Sequence, residues 1–129
     1  MAEFTKEIED KIRGLGLALK LQMDFAAAAD MRKPEDQMQF AQNNMKAGLV
    51  MVDLIKELGI KMTDDNVLEE IVAFAEKNGS DAGKVLKEQA PKMRAINTAA
   101  AALFAERAAE KKQITPDDMN SIFRKHLAP

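Results

Sequence analysis

Residues 34–58, PEDQMQFAQNNMKAGLVMVDLIKEL, decide how the chain folds. The stretch reads as one helix of about 37 Å at 1.5 Å per residue. At helical spacing Met38, Ala41, Met45, Gly48, Leu49, Val52 and Ile55 share a face. Phe40, Ala47, Met51, Leu54 and Leu58 make a second apolar stripe beside it, and Gln39, Gln42, Lys46, Asp53 and Glu57 fill the remaining sector. A helix apolar over more than half its circumference needs neighbours on at least two sides. The expectation is a central helix in a small bundle, with the Met38–Leu49–Val52 face covered by other helices.

Upstream, Thr5 suits an N-cap, with Glu7 near the positive end of the helix dipole. A helix over Thr5 to Met31 aligns Ile8, Ile12, Leu15, Leu19, Met23 and Ala26 on one side, leaving Leu17, Leu21 and Ala28 away from it. Gly14 and Gly16 weaken this helix and mark a bend, a break or a close crossing. Arg32-Lys33-Pro34 is a hinge, and Pro34 suits the first turn of the next helix.

Downstream, Gly59 is a natural left-handed stop. Met62, Thr63 and Val67 have the spacing of a hydrophobic staple around an N-cap, and Asp64 and Asp65 suit the dipole. Leu68, Ile71, Val72 and Ala75 carry that helix to Asn78-Gly79. Ser80 or Asp81 caps a short helix through Val85, Leu86 and Glu88, and Pro91 either begins a new helix or kinks a continuous one at Ala90; the fresh start is preferred, because the residue before proline is biased away from helical geometry. Met93, Ile96, Ala100, Leu103 and Phe104 form the stripe of the next helix, to about Lys112. Ile114, Thr115, Pro116, Asp118 and Met119 combine staple, cap and dipole at the start of the last helix, which docks through Ile122, Phe123 and Leu127.

Every segment has helical period and none alternates as a strand does. The chain reads as a single all-α domain over residues 1–129, a compact bundle of five to six helices. The alanine runs at 26–29 and 99–102 suit a close helix crossing.

Composition narrows the function. There is no cysteine, so disulfides, thiolate metal sites and cysteine nucleophiles are excluded. Half of the first ten residues are charged, without the apolar core of a secretory signal, and no run reaches the ~18 apolar residues of a membrane span. A cytoplasmic protein, not a membrane protein, is expected. A net charge of −2 creates no broad field for nucleic acid, and without Trp or Tyr there are no strong base-stacking platforms. The loose basic groups at Arg32-Lys33, Lys84-Lys87-Lys92-Arg94 and Arg107-Lys111-Lys112 read as a charge-mixed solvated face. Nine methionines give soft, adaptable apolar surface.

No catalytic or metal constellation emerges. His126 stands alone near the end, the Asp64-Asp65-Asn66 cluster lacks calcium-loop spacing, and the six glycines form no phosphate-binding fingerprint. Asp24 and Asp53 lie on polar faces, whereas Asp30 falls near an apolar stripe at a helix end. Asn44, inside the apolar arc, and Asn97, beside the later stripe, each need a hydrogen-bond partner if buried; Gln22 and Lys11 are suitably placed.

No nucleophile–base pair supports an enzyme, and no cofactor is implied. The favoured reading is a non-catalytic interaction or adaptor module that binds a protein partner, or its own copy, through surplus apolar faces. The candidate contacts are Leu17, Leu21, Phe40, Asn44, Met51, Leu54 and Asn97. The alternative is a Met- and Ala-lined pocket for an apolar small molecule, oriented by Asn44 or Asn97.

Overall fold

Thr5 begins the first helix as its residue type suggests: its hydroxyl accepts a hydrogen bond from the Ile8 N–H at 3.1 Å. The computed structural model describes residues 3–61 and 66–127, which form α1 (Lys6–Ala28), α2 (Pro34–Leu58), α3 (Val67–Lys77), α4 (Lys84–Ala109) and α5 (Pro116–Leu127). Among the described residues there are no strands, as expected. The staple and cap expected at Met62 to Asp65 lie outside the described residues.

α1 is continuous through both of its glycines. Gly16 marks a close crossing: a Cβ there would stand 2.8 Å from the backbone nitrogen of Leu86 on α4. The helix ends earlier than its apolar pattern suggests, because Ala29 turns extended at φ −73°, ψ 155°. The connection from α1 to α2 is pinned at two points. The Met31 N–H donates to Asn120 Oδ1 at 2.7 Å, and Gln37 Nε2 donates to the Met31 carbonyl at 2.7 Å.

α2 has the bounds read from sequence, with Pro34 in its first turn and Gly59 left-handed at φ 68°. α4 overturns the expected restart, since it runs through Pro91 without interruption. Leu86, Ala90 and Ile96 are buried on both sides of the proline while Pro91 itself is exposed. Packing therefore holds the helix continuous through the proline, at the cost of one backbone hydrogen bond. At α5 the shorter Asp completes the capping box: the Asp118 N–H donates to Thr115 Oγ1 at 3.1 Å and the Thr115 N–H to Asp118 Oδ2 at 2.9 Å.

The hub is α1, not the 34–58 helix. It packs against all four other helices, whereas α2 leans chiefly on α1, and α4 also packs on α3 and α5. The core has two layers. In one, Ile12, Leu15 and Leu19 of α1 meet Leu54, Ile71 and Leu86. In the other, Met23 and Ala26 meet Ile96, Ile122 and Phe123, with Ala99 and Ala100 packed against the same cluster.

The rotation of α2 is the largest departure from expectation. Ala47 and Leu54 are buried, and Phe40, Met51 and Leu58 are half-buried. Met38 at 65%, and Met45 and Leu49 at 66%, are exposed instead. Polar contacts explain the choice between two apolar stripes. Lys11 Nζ lies 2.9 Å from Asp53 and 2.7 Å from Glu57, which turns the Asp53–Glu57 flank towards α1. The Phe40 ring packs 5.3 Å from that of Phe123, centroid to centroid.

Candidate interaction surface

The outward face of α2 carries the largest departure from a solvated surface. Met38, Ala41, Met45 and Leu49 are exposed along it, with Gly48 and Val52 half-buried at its edge. Helical spacing makes this one stripe about 21 Å long from Met38 to Val52. Long apolar side chains left bare in a row, rather than scattered singly, mark contact surfaces.

The register of α1 against α2 adds to it. The Lys11 contacts with Asp53 and Glu57, and the bond from Gln22 Nε2 to Asn44 Oδ1 at 3.0 Å, fix an antiparallel pairing. That pairing puts Leu21 at the level of Met45 and Leu17 at the level of Leu49. Leu17 and Leu21 are 54% and 56% exposed, so they lie bare beside Leu49 and Met45.

On its other side, α2 is separated from α4 by an open groove of about 490 Å³, lined by Met51, Val52 and Ile55, by Val67 and Leu68, and by Met93 and Asn97. Phe104, also exposed, lies seven residues beyond Asn97 and so on the same face of α4. Of the candidate contacts, Met51 and Asn97 thus share the groove and Asn44 stands exposed above its bond to Gln22. Phe40 is half-buried against Phe123, and Leu54 is wholly inside the core, unavailable to any partner.

Sequence reasoning missed Met38, Met45 and Leu49 as surface residues. The signal that could have found them is the Asp53–Glu57 pair four residues apart, which one cation on a neighbouring helix, here Lys11, can bridge.

Charged groups around the surface act as moorings. Lys11 also meets Glu7 at 3.3 Å, and hydrogen bonds to Glu57, then Asp53, hold its ammonium well above the usual lysine range. Asp30 is held far below the usual carboxylate range, first by Arg32 and then by Asn120 of α5. Arg107, 3.0 Å away, is the main cause that brings Asp118 down to about 2. Asp24 is paired with Lys20 at 2.6 Å. Lys87 pairs with Glu76 and Arg94 with Glu69, which compensates part of the middle basic group. Among the described residues no three His, Asp or Glu side chains gather as metal ligands, and no helix is long and apolar enough to cross a membrane.

Protein-family models, curated protein sequences and solved structures were each compared with the chain, and none matches.

Proposed function

We propose that the chain is a non-catalytic protein-interaction module of cytoplasmic type, docking its partner along the outward stripe of α2. The observation that carries this reading is the row Met38, Met45 and Leu49, each about two-thirds exposed on one helix face. Covering it removes apolar area from water at roughly 25 cal/mol per Å². Methionine adapts to a partner surface at small conformational cost, which suits a helix-on-helix contact.

A benzophenone side chain in place of Leu49, photoactivated in the producing cell, tests the reading. The expected result is one discrete adduct, identified by mass spectrometry, that is absent with the probe at exposed Lys77 of α3 and lost when Met38 and Met45 become Gln. Equal, diffuse labelling at both positions would refute a docking role for the stripe.

The groove between α2 and α4 favours a second reading, an apolar small-molecule site. Met51, Val52, Ile55 and Met93 offer the apolar walls and the Asn97 amide a polar contact. Saturable uptake of a fluorescent alkyl probe, abolished by Val52→Trp, supports this reading; uptake unchanged by that substitution removes it.

A further inference from the structure

We infer that the partner covering the outer stripe is a second copy of this chain, docked antiparallel along α2 about a two-fold axis at Met45. The inference rests on the interaction reading above and narrows its partner. A two-fold at this position sets Met45 against itself, Ala41 against Leu49 of the second copy, and Met38 against Val52. A small side chain faces a large one twice over, and the flexible methionines meet at the centre.

Charge selects the antiparallel direction. Glu35 lies in the first turn of α2 and Lys56 in the last, and both are exposed. Neither has an ion-pair partner among the described residues, although many of their charged neighbours do. They stand on the same flank of the helix, about 60° apart at helical spacing. A two-fold axis across the contact keeps like flanks together and brings Glu35 of one copy within one residue of the level of Lys56 of the other. Two ion pairs then close the ends of the stripe. Parallel docking would put the two Glu35 at one level and the two Lys56 at another, forming no such pair, and would align the helix dipoles unfavourably.

The contact is small. One helix face about 21 Å long and roughly 10 Å wide presents far less than the ~800 Å² per partner of a standard stable interface. Exposed Lys46 also approaches its own counterpart beside the axis. The dimer therefore dissociates on dilution, and Lys46→Gln tightens it.

The natural chain has no cysteine, so Met45→Cys places a lone thiol on the axis. Under mild oxidation Met45→Cys should link two copies, whereas Lys77→Cys on exposed α3 at the same concentration should not. Sedimentation of the unaltered chain should show twice the chain mass, falling to one on dilution. Glu35→Lys and Lys56→Glu should each weaken self-association about tenfold, from two exposed pairs, and an equimolar mixture of the two should pair again. All these positions are exposed, and unchanged thermal melting of each monomer confirms that the fold is intact. A monomer at every concentration, with Met45→Cys linking no faster than Lys77→Cys, overturns the inference. If the Leu49 photoprobe then still labels a different protein, self-pairing alone has failed; if it labels nothing discrete, the interaction reading has failed with it.

Discussion

α1 and α2 are the same kind of object in sequence: 23 and 25 residues long, amphipathic and rich in aliphatic side chains. In the folded chain they have opposite fates. α1 touches every other helix, while α2 leans on α1 and leaves Met38, Ala41, Met45 and Leu49 of one apolar stripe bare. Apolar content does not separate them. What separates them is the ability to let another backbone come close. Gly16 of α1 admits α4 to within the reach of a missing Cβ, whereas a Cβ on Gly48 of α2 would meet nothing within 4 Å. Gly16 supplies that gap where α1 crosses α4, and α2 has none where its surplus stripe lies.

The contrast breaks most visibly inside α2. Leu54→Ala empties a fully buried site and should cost about 2–5 kcal/mol in chemical denaturation, whereas Leu49→Ala, measured on the monomer, should stay within about 0.5 kcal/mol. Equal losses would mean that the two stripes had been assigned the wrong way round. The two glycines give the next largest difference. Gly16→Ala drives a methyl into the α4 backbone and should destabilise by about 1–3 kcal/mol. Gly48→Ala, in open space within a helix, should stabilise by about 0.5–1 kcal/mol. A Gly16→Ala chain as stable as the parent would remove the close crossing from the account.

A smaller effect tests how the other end of the bundle is held. Thr115→Ala removes the α5 cap and should cost about 1 kcal/mol, read as a lower melting temperature.

Acid and alkali then separate the moorings of α5 and α2. Asp118 titrates at about 2 when folded, against an ordinary 3.8, so its contribution is present above 3.8 and is lost as pH falls towards 2. Asp30, lowered by Arg32 and Asn120, acts in the same direction. Lys11 has the opposite sign: its contribution is complete below the ordinary 10.5 and is lost only as pH rises through a higher folded value. Melting followed from acid to alkali should therefore lose its acid limb in part with Asp118→Asn and its alkaline limb with Lys11→Met. An acid limb untouched by Asp118→Asn would show that the α4–α5 clamp carries no linkage. The exposed pairs should contribute less as salt rises.

Much of the architecture is legible in sequence for local reasons. Thr5, Gly59 and the Thr115–Asp118 box act through neighbours a few residues away, so residue type and spacing are enough to place them. The stripe Ile8, Ile12, Leu15, Leu19, Met23 and Ala26 is all buried, because α1 offers only one wide apolar face. Pro91 misleads because its local bias is outweighed by Leu86, Ala90 and Ile96 on either side, which pack into a core that no short window contains. The rotation of α2 is illegible for a related reason. Two stripes of nearly equal apolarity compete, and the choice is made by Lys11 and Phe123, 42 residues before Asp53 and 83 after Phe40 along the chain. Among the candidate contacts this misplaces Leu54 in particular, while Met38, Met45 and Leu49 stand bare where their pattern predicts core.

Arg124 gives the fold a direction in time. Its guanidinium, on α5, donates to the carbonyls of Ala26, Ala27 and Ala29, and so finishes the end of α1, where the Ala29 N–H already satisfies the Phe25 carbonyl. The hub helix is thus made first and completed last. During synthesis α1 and α2 emerge as a hairpin with the α4-facing side of α1 still bare, and they wait for most of the remaining chain before α4 and α5 can close over it. Closing the bundle over that side of the hub therefore draws on residues as far along the chain as Arg124.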